Sequence, residues 1–390
     1  MPKIRRTDVV LVLLPLMASC STQADGEQVP PAAAASAAPG TSAAATSTSP
    51  PRPPSPPPPP PPETVTLVAT GDVLIHQDGA LTAGAAVEGG GYDFEDVFAP
   101  VAPLIQAADL AICHLEAPVA PPGGPFRGYP RFVAQPQIVE ALAGAGYDVC
   151  STASNHSLDD GFDGLTRTLD VLEAAGVAHT GTHRSEQDSL EPTIVDAGGV
   201  HVGHVAGTFS LNGIPLPDGR PWAVDVVEVP DVEPMLAAAA RARAAGAEIV
   251  VASLHCCAEY DHDPTRAQEQ AARTLLASPD VDLVLGHHAH VVQPFEEFDG
   301  EWIAYGLGNH LAEQATLGYA TEESVMARFT FTRESDGGFT VSVAEAVPLL
   351  IDRRADGLRI VPADPVTFDL VAGVLDRRGA TADGLAVVPE

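Results

Sequence analysis

VDLVLGHHAH, residues 281–290, is the stretch from which the rest of the chain can be read. Val281 to Leu285 is a short, mostly apolar run, broken only by Asp282, and reads as a buried strand. It runs directly into Gly286, His287, His288, Ala289 and His290. Side chains at i and i+2 share a face of an extended segment. His288 and His290 are therefore expected to point the same way, as a pair of ligands would.

The same arrangement recurs along the chain. Thr64 to Thr70 is β-rich and ends in Gly71-Asp72. Asp109 to Cys113 runs into His114-Leu115-Glu116, and Tyr147 to Thr152 into Asn155-His156. Glu248 to Leu254 runs into His255. Between these strands lie helical patterns over 136–145, 165–175, 231–245 and 264–277, the last with a proline near its start. Two strands are expected around Ala197-Gly198-Gly199, another over 301–307, and antiparallel alternation over 325–347. Strands alternating with helices imply a layered α/β fold. Polar residues just past strand ends lie where such sheets place their ligands. No internal repeat is visible.

The residues at those ends are Asp72, His114, Glu116, Asn155, His156, His255, Glu259, His288 and His290. This mixed oxygen and nitrogen set suits Mn, Fe or Zn better than Ca or Mg alone. A carboxylate shared by two such ions holds them about 4 Å apart. Taken singly, Asp72 reads equally as a turn residue, and Asn155-His156 as the cap of the next helix. His179, His183, His201, His204 and His262 read as ordinary surface or core residues. Arg127 and Arg131, in FRGYPRFVAQP (126–136), are candidates to clamp a carboxylate or phosphate, with a plain loop role as the alternative.

Charge narrows the partners. The 390 residues include 52 acidic and 20 basic ones, a formal charge of −32. Such a surface repels nucleic acid, so binding of DNA or RNA through a basic face is not expected. An anionic substrate needs bound metal or a few placed arginines.

The N-terminus reads as an export signal. Lys3, Arg5 and Arg6 precede the apolar run Val9–Met17, which is too short to span a bilayer. Met17-Ala-Ser-Cys20 resembles a lipoprotein lipobox, with Cys20 as the lipidated residue. Residues 21–62 are Pro-, Ala- and Ser-rich and end in the unbroken run Pro56–Pro62, a disordered linker stiffened by polyproline II. At ~3 Å per residue it reaches roughly 100 Å. The folded domain is then 63–390, on the outer face of the cell membrane. Four cysteines remain. Cys113 and Cys150 read as small core residues, and the pairing of the four stays open.

The segments VATGDVLIH (68–76), AICHLEAPV (111–119), STASNHSLDDG (151–161), LHCCAEY (254–260), GHHAHVVQP (286–294) and YGLGNH (305–310) occur in that order. Together they resemble the CapA family of capsule and poly-γ-glutamate synthesis proteins, within the calcineurin-like metallophosphatase superfamily. The resemblance covers roughly 64–313. It implies a metallophosphatase-like β-sandwich flanked by helices and two divalent metal ions. Matching motif to motif, it implies Asp72, Asn155, His255, His288 and His290 as ligands and Glu116 as the bridging carboxylate. His156 falls at the position of a general acid or transition-state stabiliser, and Glu259 at a supporting or substrate-contacting position.

This chain departs from the pattern at several points. Leu74 stands where the superfamily has a histidine, and His76 replaces it only if the loop bends. His114 stands where Asn is usual, either as a contact or as a ligand. Cys256-Cys257 replace Trp-Gly, as soft-metal ligands or a vicinal disulfide. His310 replaces Phe. The resemblance implies a metal-dependent hydrolase acting on a phosphoester or an anionic extracellular polymer. The alternative is a non-catalytic polymer-binding or export component of a membrane synthase complex.

Overall fold

Alternation within single strands sorts the chain into layers. The computed structural model describes residues 63–314, 318–354 and 357–390; Cys20 and the linker 21–62 lie outside them. The first four strands, β1 (Thr64–Val73), β2 (Leu110–Leu115), β3 (Val149–Ser151) and β4 (Ala178–Thr180), lie side by side and parallel. The next six build a second sheet: β5 (Thr193–Ala197), β6 (Val200–Thr208), β7 (Ile249–His255), β8 (Leu283–His287), β9 (Phe295–Phe298) and β10 (Glu301–Ala304). Its order is β5-β6-β7-β8-β10-β9, with a parallel centre and antiparallel edges. The chain then returns to the first sheet with β11 (Asn309–Leu311), β12 (Glu323–Arg333), β13 (Phe339–Arg354), β14 (Gly357–Pro362) and β15 (Leu385–Val387). That sheet runs β14-β13-β12-β1-β2-β3-β4, with β11 beside β1 and β15 beside β13.

Side chains alternate across a strand, and here both faces are apolar. Leu67, Ala69, Leu110, Ile112 and Val149 pack against Val202, Ile249, Val251, Leu283 and Leu285 of the other sheet. The opposite faces take helices. Val68, Ala111 and Cys113 meet Ile138, Leu142, Leu165 and Leu169 from helices Gln137–Ala145 and Gly161–Ala174. Val250, Ala252 and Val284 meet Met235, Ala239, Ala271 and Leu275 from Glu233–Ala244 and Arg266–Leu276. The result is a mixed α/β sandwich, two sheets face to face with helices outside. A capping box of Thr265 and Gln268 starts the last of these helices. Among the described residues no helix is long and apolar enough to cross a membrane.

The starting ends of the parallel strands share one device. Asp109 donates its N–H to Thr66 O and accepts Thr66 N–H on its carboxylate, at 2.9 Å both ways. Asp148 does the same with Ala111 at 3.0 and 2.8 Å, and Asp282 with Val250 at 2.9 and 2.6 Å. Glu248 and His201 repeat it at 2.7 and 3.2 Å. Each acidic residue closes the ladder where a backbone donor would otherwise be left over.

Two expectations need correction. Asp72, His114 and His255 lie within the last residues of their strands, not past them. β11 pairs Asn309 with Asp72 and prolongs β1, while His114 is a register partner of Asp72 and His255 of His287. Gly71 and Gly286 permit that approach: a Cβ on either would sit 1.9 Å from the carbonyl oxygen of Gly308 or Tyr305. Cys113 and Cys150 are buried as expected, but they are also joined, as register partners on β2 and β3 with Cα atoms 4.4 Å apart. Closing a loop of this length stabilises a fold by about 4 kcal/mol in the chain-entropy picture.

Candidate metal centre

At the finishing ends of β1, β2, β7 and β8 the buried polar groups are not all answered. Asp72, His114, Glu116, Asn155, His255, His287, His288 and His290 are each no more than 4% exposed. They form overlapping groups whose donor atoms lie within 4.8 Å of one another. One is Asp72, Glu116 and His290; another is Glu116, His255 and His288. Glu116 belongs to both. Asn155 joins the second group, with Oδ1 2.9 Å from His255 Nε2. Its amide nitrogen reaches Asn212 Oδ1 at 3.4 Å, which leaves the oxygen facing the cluster.

Asp72 is the most supported of these residues. His287 Nδ1 lies 3.2 Å from Oδ1, and Oδ2 accepts the His288 N–H at 3.1 Å. His290 Nδ1 stands 3.4 Å from Oδ2 and 2.9 Å from Asn309 Oδ1. Burial alone would raise the Asp72 pKa; the His287 contact and the surrounding imidazoles of His114, His287 and His290 outweigh it and bring it to about 2. Glu116 is the opposite case. Burial, then the charges of Asp72, Glu259 and Asp159, push it well above its ordinary value. Burial likewise holds His114 and His255 well below the usual imidazole range, and His288 down to about 3. The rings therefore stay neutral, with lone pairs to offer.

Both Glu116 oxygens, His287 Nε2 and His288 Nδ1 are buried without a hydrogen-bond partner. An unanswered buried carboxylate is costly. A divalent cation answers such a set of carboxylate, imidazole and amide oxygen, so the residues fit a metal site.

His288 and His290 come together with Glu259 as expected, but a turn brings them there and not strand alternation. β8 stops at His287, and His288 and His290 take positive φ values of 86° and 57°. A non-glycine residue in that region is strained and persists where its surroundings hold it. The turn brings three imidazoles to the centre, and His287, on Asp72, is the one strand alternation passes over. Asn309, on His290, and Asp159, on His156, escape sequence reading too; only the place of Asn309 in the YGLGNH segment hinted at it.

The other candidates divide. Glu259 Oε1 lies 3.8 Å from His288 Nε2. His156 is held by Asp159 Oδ2 at 2.6 Å from Nδ1. His76 joins none of the ligand groups; its Nδ1 faces Leu74 O at 3.1 Å and takes the Glu313 N–H at 3.2 Å. Arg127 is occupied by Asp160, at 2.6 Å, and by the Asp159 carbonyl. Arg131 is exposed, and among the described residues its guanidinium has no carboxylate partner. It lines a cavity of about 430 Å³ with Tyr129, Asn155, His156, Asn212 and Glu259. Cys256 and Cys257 are bonded to each other, so neither offers a thiolate.

Comparison with known proteins gives the centre its setting. Residues 66–314, more than half of the chain, match the family model described as bacterial capsule synthesis protein PGA_cap. The chain belongs to the PGA_cap family. It is 27% identical over 262 residues to the PGA biosynthesis protein CapA of Bacillus subtilis, covering 65% of this chain and 67% of that one. It is 26% identical to the capsule biosynthesis protein CapA of Bacillus anthracis, covering 67% and 62%. A probable polyglutamine synthesis accessory protein of Mycobacterium tuberculosis is 28% identical over 222 residues, covering 54% and 58%. The chain thus spans some 58–67% of the length of these curated relatives. Among solved structures it is similar to the calcineurin-like phosphoesterase YfkN of Bacillus subtilis, at TM-score 0.42 and 14% identity over 80% of this chain and 97% of that one. In this PGA_cap member every ligand position implied by the motifs lies in one buried cluster, and Leu74 sits beside it in a small apolar group with Phe132 and Ala312.

Proposed function

We infer that this PGA_cap protein is an exported, lipid-anchored hydrolase that uses two divalent cations on a phosphoester or on a bond of an anionic extracellular polymer. The observation that carries this reading is the pair of buried donor groups sharing Glu116, with Asn155 reaching from them to a cavity large enough for a polymer segment. Two disulfides suit an oxidising compartment outside the cytoplasm. The lipobox at Cys20 supports a membrane anchor.

When bound, a pair of cations supplies Lewis-acid activation of water and of the substrate oxygen. Asp72, Glu116 and His290 would hold one, and Glu116, Asn155, His255 and His288 the other. The chain's own groups do the rest. Asp159 fixes the His156 ring and keeps Nδ1 protonated, which leaves Nε2 to exchange a proton with the departing oxygen. Arg131 pairs with an anionic group of the substrate on the cavity wall, the local cation that a chain of charge −32 needs. Leu74 gives the Asp72 group one imidazole fewer than the superfamily pattern, which favours a second reading, a polymer-guiding part of a membrane synthase or export complex.

The test is turnover of p-nitrophenyl phosphate esters and of γ-linked glutamyl polymers with added Mn. Metal-dependent hydrolysis that falls by 10²–10⁴-fold in His156→Ala is expected. No turnover by a protein that carries its metals would leave the polymer-guiding reading.

A further inference from the structure

His114 lies in a line of contacts that leads out of the candidate metal centre. Its ring is fully buried at the end of β2. Nε2 is 2.9 Å from His255 Nδ1, and Nδ1 is 2.8 Å from Ser151 Oγ. Ser151 Oγ in turn reaches the Cys113 carbonyl at 3.5 Å. On its far side His255 Nε2 faces Asn155 Oδ1 at 2.9 Å. The His114 ring is stacked on His287, with centroids 4.2 Å apart and planes 19° from parallel, so it cannot turn without displacing a second imidazole.

Only two proton arrangements satisfy this line. In one, Ser151 donates to His114 Nδ1, His114 Nε2–H to His255 Nδ1, and His255 Nε2–H to Asn155. His255 then has no lone pair for a cation. In the other, the Ser151–His114 and His114–His255 steps reverse. Ser151 donates to Cys113 O, His114 Nδ1–H to Ser151, and His255 Nδ1–H to His114 Nε2. No proton is gained or lost; two rings exchange tautomers and one hydroxyl rotates. His255 Nε2 and Asn155 Oδ1 then face each other as two lone pairs 2.9 Å apart, a contact that a shared cation relieves. A ligating imidazole needs an acceptor on its other nitrogen to fix its tautomer.

We propose that His114, backed by Ser151, is a positioning residue that sets the tautomer of His255 and so tunes how tightly the Glu116–Asn155–His255–His288 side binds its cation. This rests on the two-cation reading of the site. His114 is outside both groups that share Glu116, and in this proposal it acts through His255. It gives the chain an aromatic acceptor held by stacking on His287.

The test is Mn²⁺ and Zn²⁺ affinity of the full-length protein, measured by competition with a chelating dye. It is paired with ¹⁵N spectra of histidine-labelled protein that report which His255 nitrogen carries the proton. His114→Phe keeps the ring and removes the acceptor. It is expected to weaken one of two ions 10–100-fold and to abolish the protonated-Nδ1 signature of His255. His114→Asn restores an acceptor and should recover much of the loss, and Ser151→Ala should show a smaller one. If His114→Phe fails to fold, the Asn and Ala variants carry the same comparison. Equal affinity and an unchanged His255 signature in every folded variant overturn the role of His114 and leave the two-cation site standing. A wild-type protein that takes up no divalent cation overturns both.

Discussion

The two ends of the parallel strands treat buried polar groups in opposite ways. At the starting end, Asp109, Asp148, Asp282 and Glu248 each clasp one neighbouring residue by two hydrogen bonds, and Arg243 adds an ion pair to Asp282. At the finishing end, Glu116, His287 and His288 carry buried atoms with no partner, although Asp72 beside them has several. Most of the buried acids at one end are thus answered within the fold, while a shared carboxylate and two imidazoles at the other are not. What sets Glu116 apart is its company: imidazoles and an amide oxygen converge on it, a donor set that suits a cation.

The largest effect that would break this contrast is at Glu116. Its carboxyl is already disfavoured as an anion by burial and by the charges of Asp72, Glu259 and Asp159. Glu116→Gln should therefore leave the metal-free protein as stable as wild type, or more so. It should also abolish stabilisation by Mn, which a hundredfold excess over Kd makes about 2.7 kcal/mol per ion. Thermal unfolding with and without Mn measures both. A variant that keeps the full metal shift would remove Glu116 from its shared position.

A smaller effect sharpens the contrast from the other side. Glu301, at the start of β10, is an unanswered acid at the starting end itself, with Oε2 buried and unpartnered among the described residues. Burial, then the charge of Asp282, raises its pKa from 4.5 to about 8. An acid raised on folding keeps its proton in the folded chain while the unfolded chain loses it. Stability from this group falls as pH climbs from about 4.5 to about 8 and is level above. Glu301→Gln should raise the melting temperature at pH 8.5, leave it unchanged at pH 4, and not alter metal binding. A variant less stable at pH 8.5 would show that the carboxylate is answered after all.

Much of the contrast could be read in the sequence because it lies in local patterns. Mostly apolar runs such as Leu283–Leu285 and Ile249–Leu254, leading into His287 and His255, mark strands that finish at a site. The proline and the Thr265–Gln268 cap mark a helix start. What stayed hidden depends on contacts between distant segments. His287 matters because Asp72, 215 residues away, meets its ring. The role of Asn309 and the lengthening of β1 come from β11 pressing against Gly71. Strand alternation gave the right two histidines at 288 and 290 for the wrong reason, since a turn with positive φ values delivers them. The Cys113–Cys150 bond needed the register of β2 on β3, which no spacing reveals.

The most direct measurement is the number of divalent ions held by the purified, disulfide-intact protein, read by elemental analysis and by calorimetric titration with Mn after chelation. Two ions per chain, with one lost in His255→Ala and both in Glu116→Gln, is the expected result. A folded protein holding less than one ion per chain, and no less stable after chelation, would contradict it.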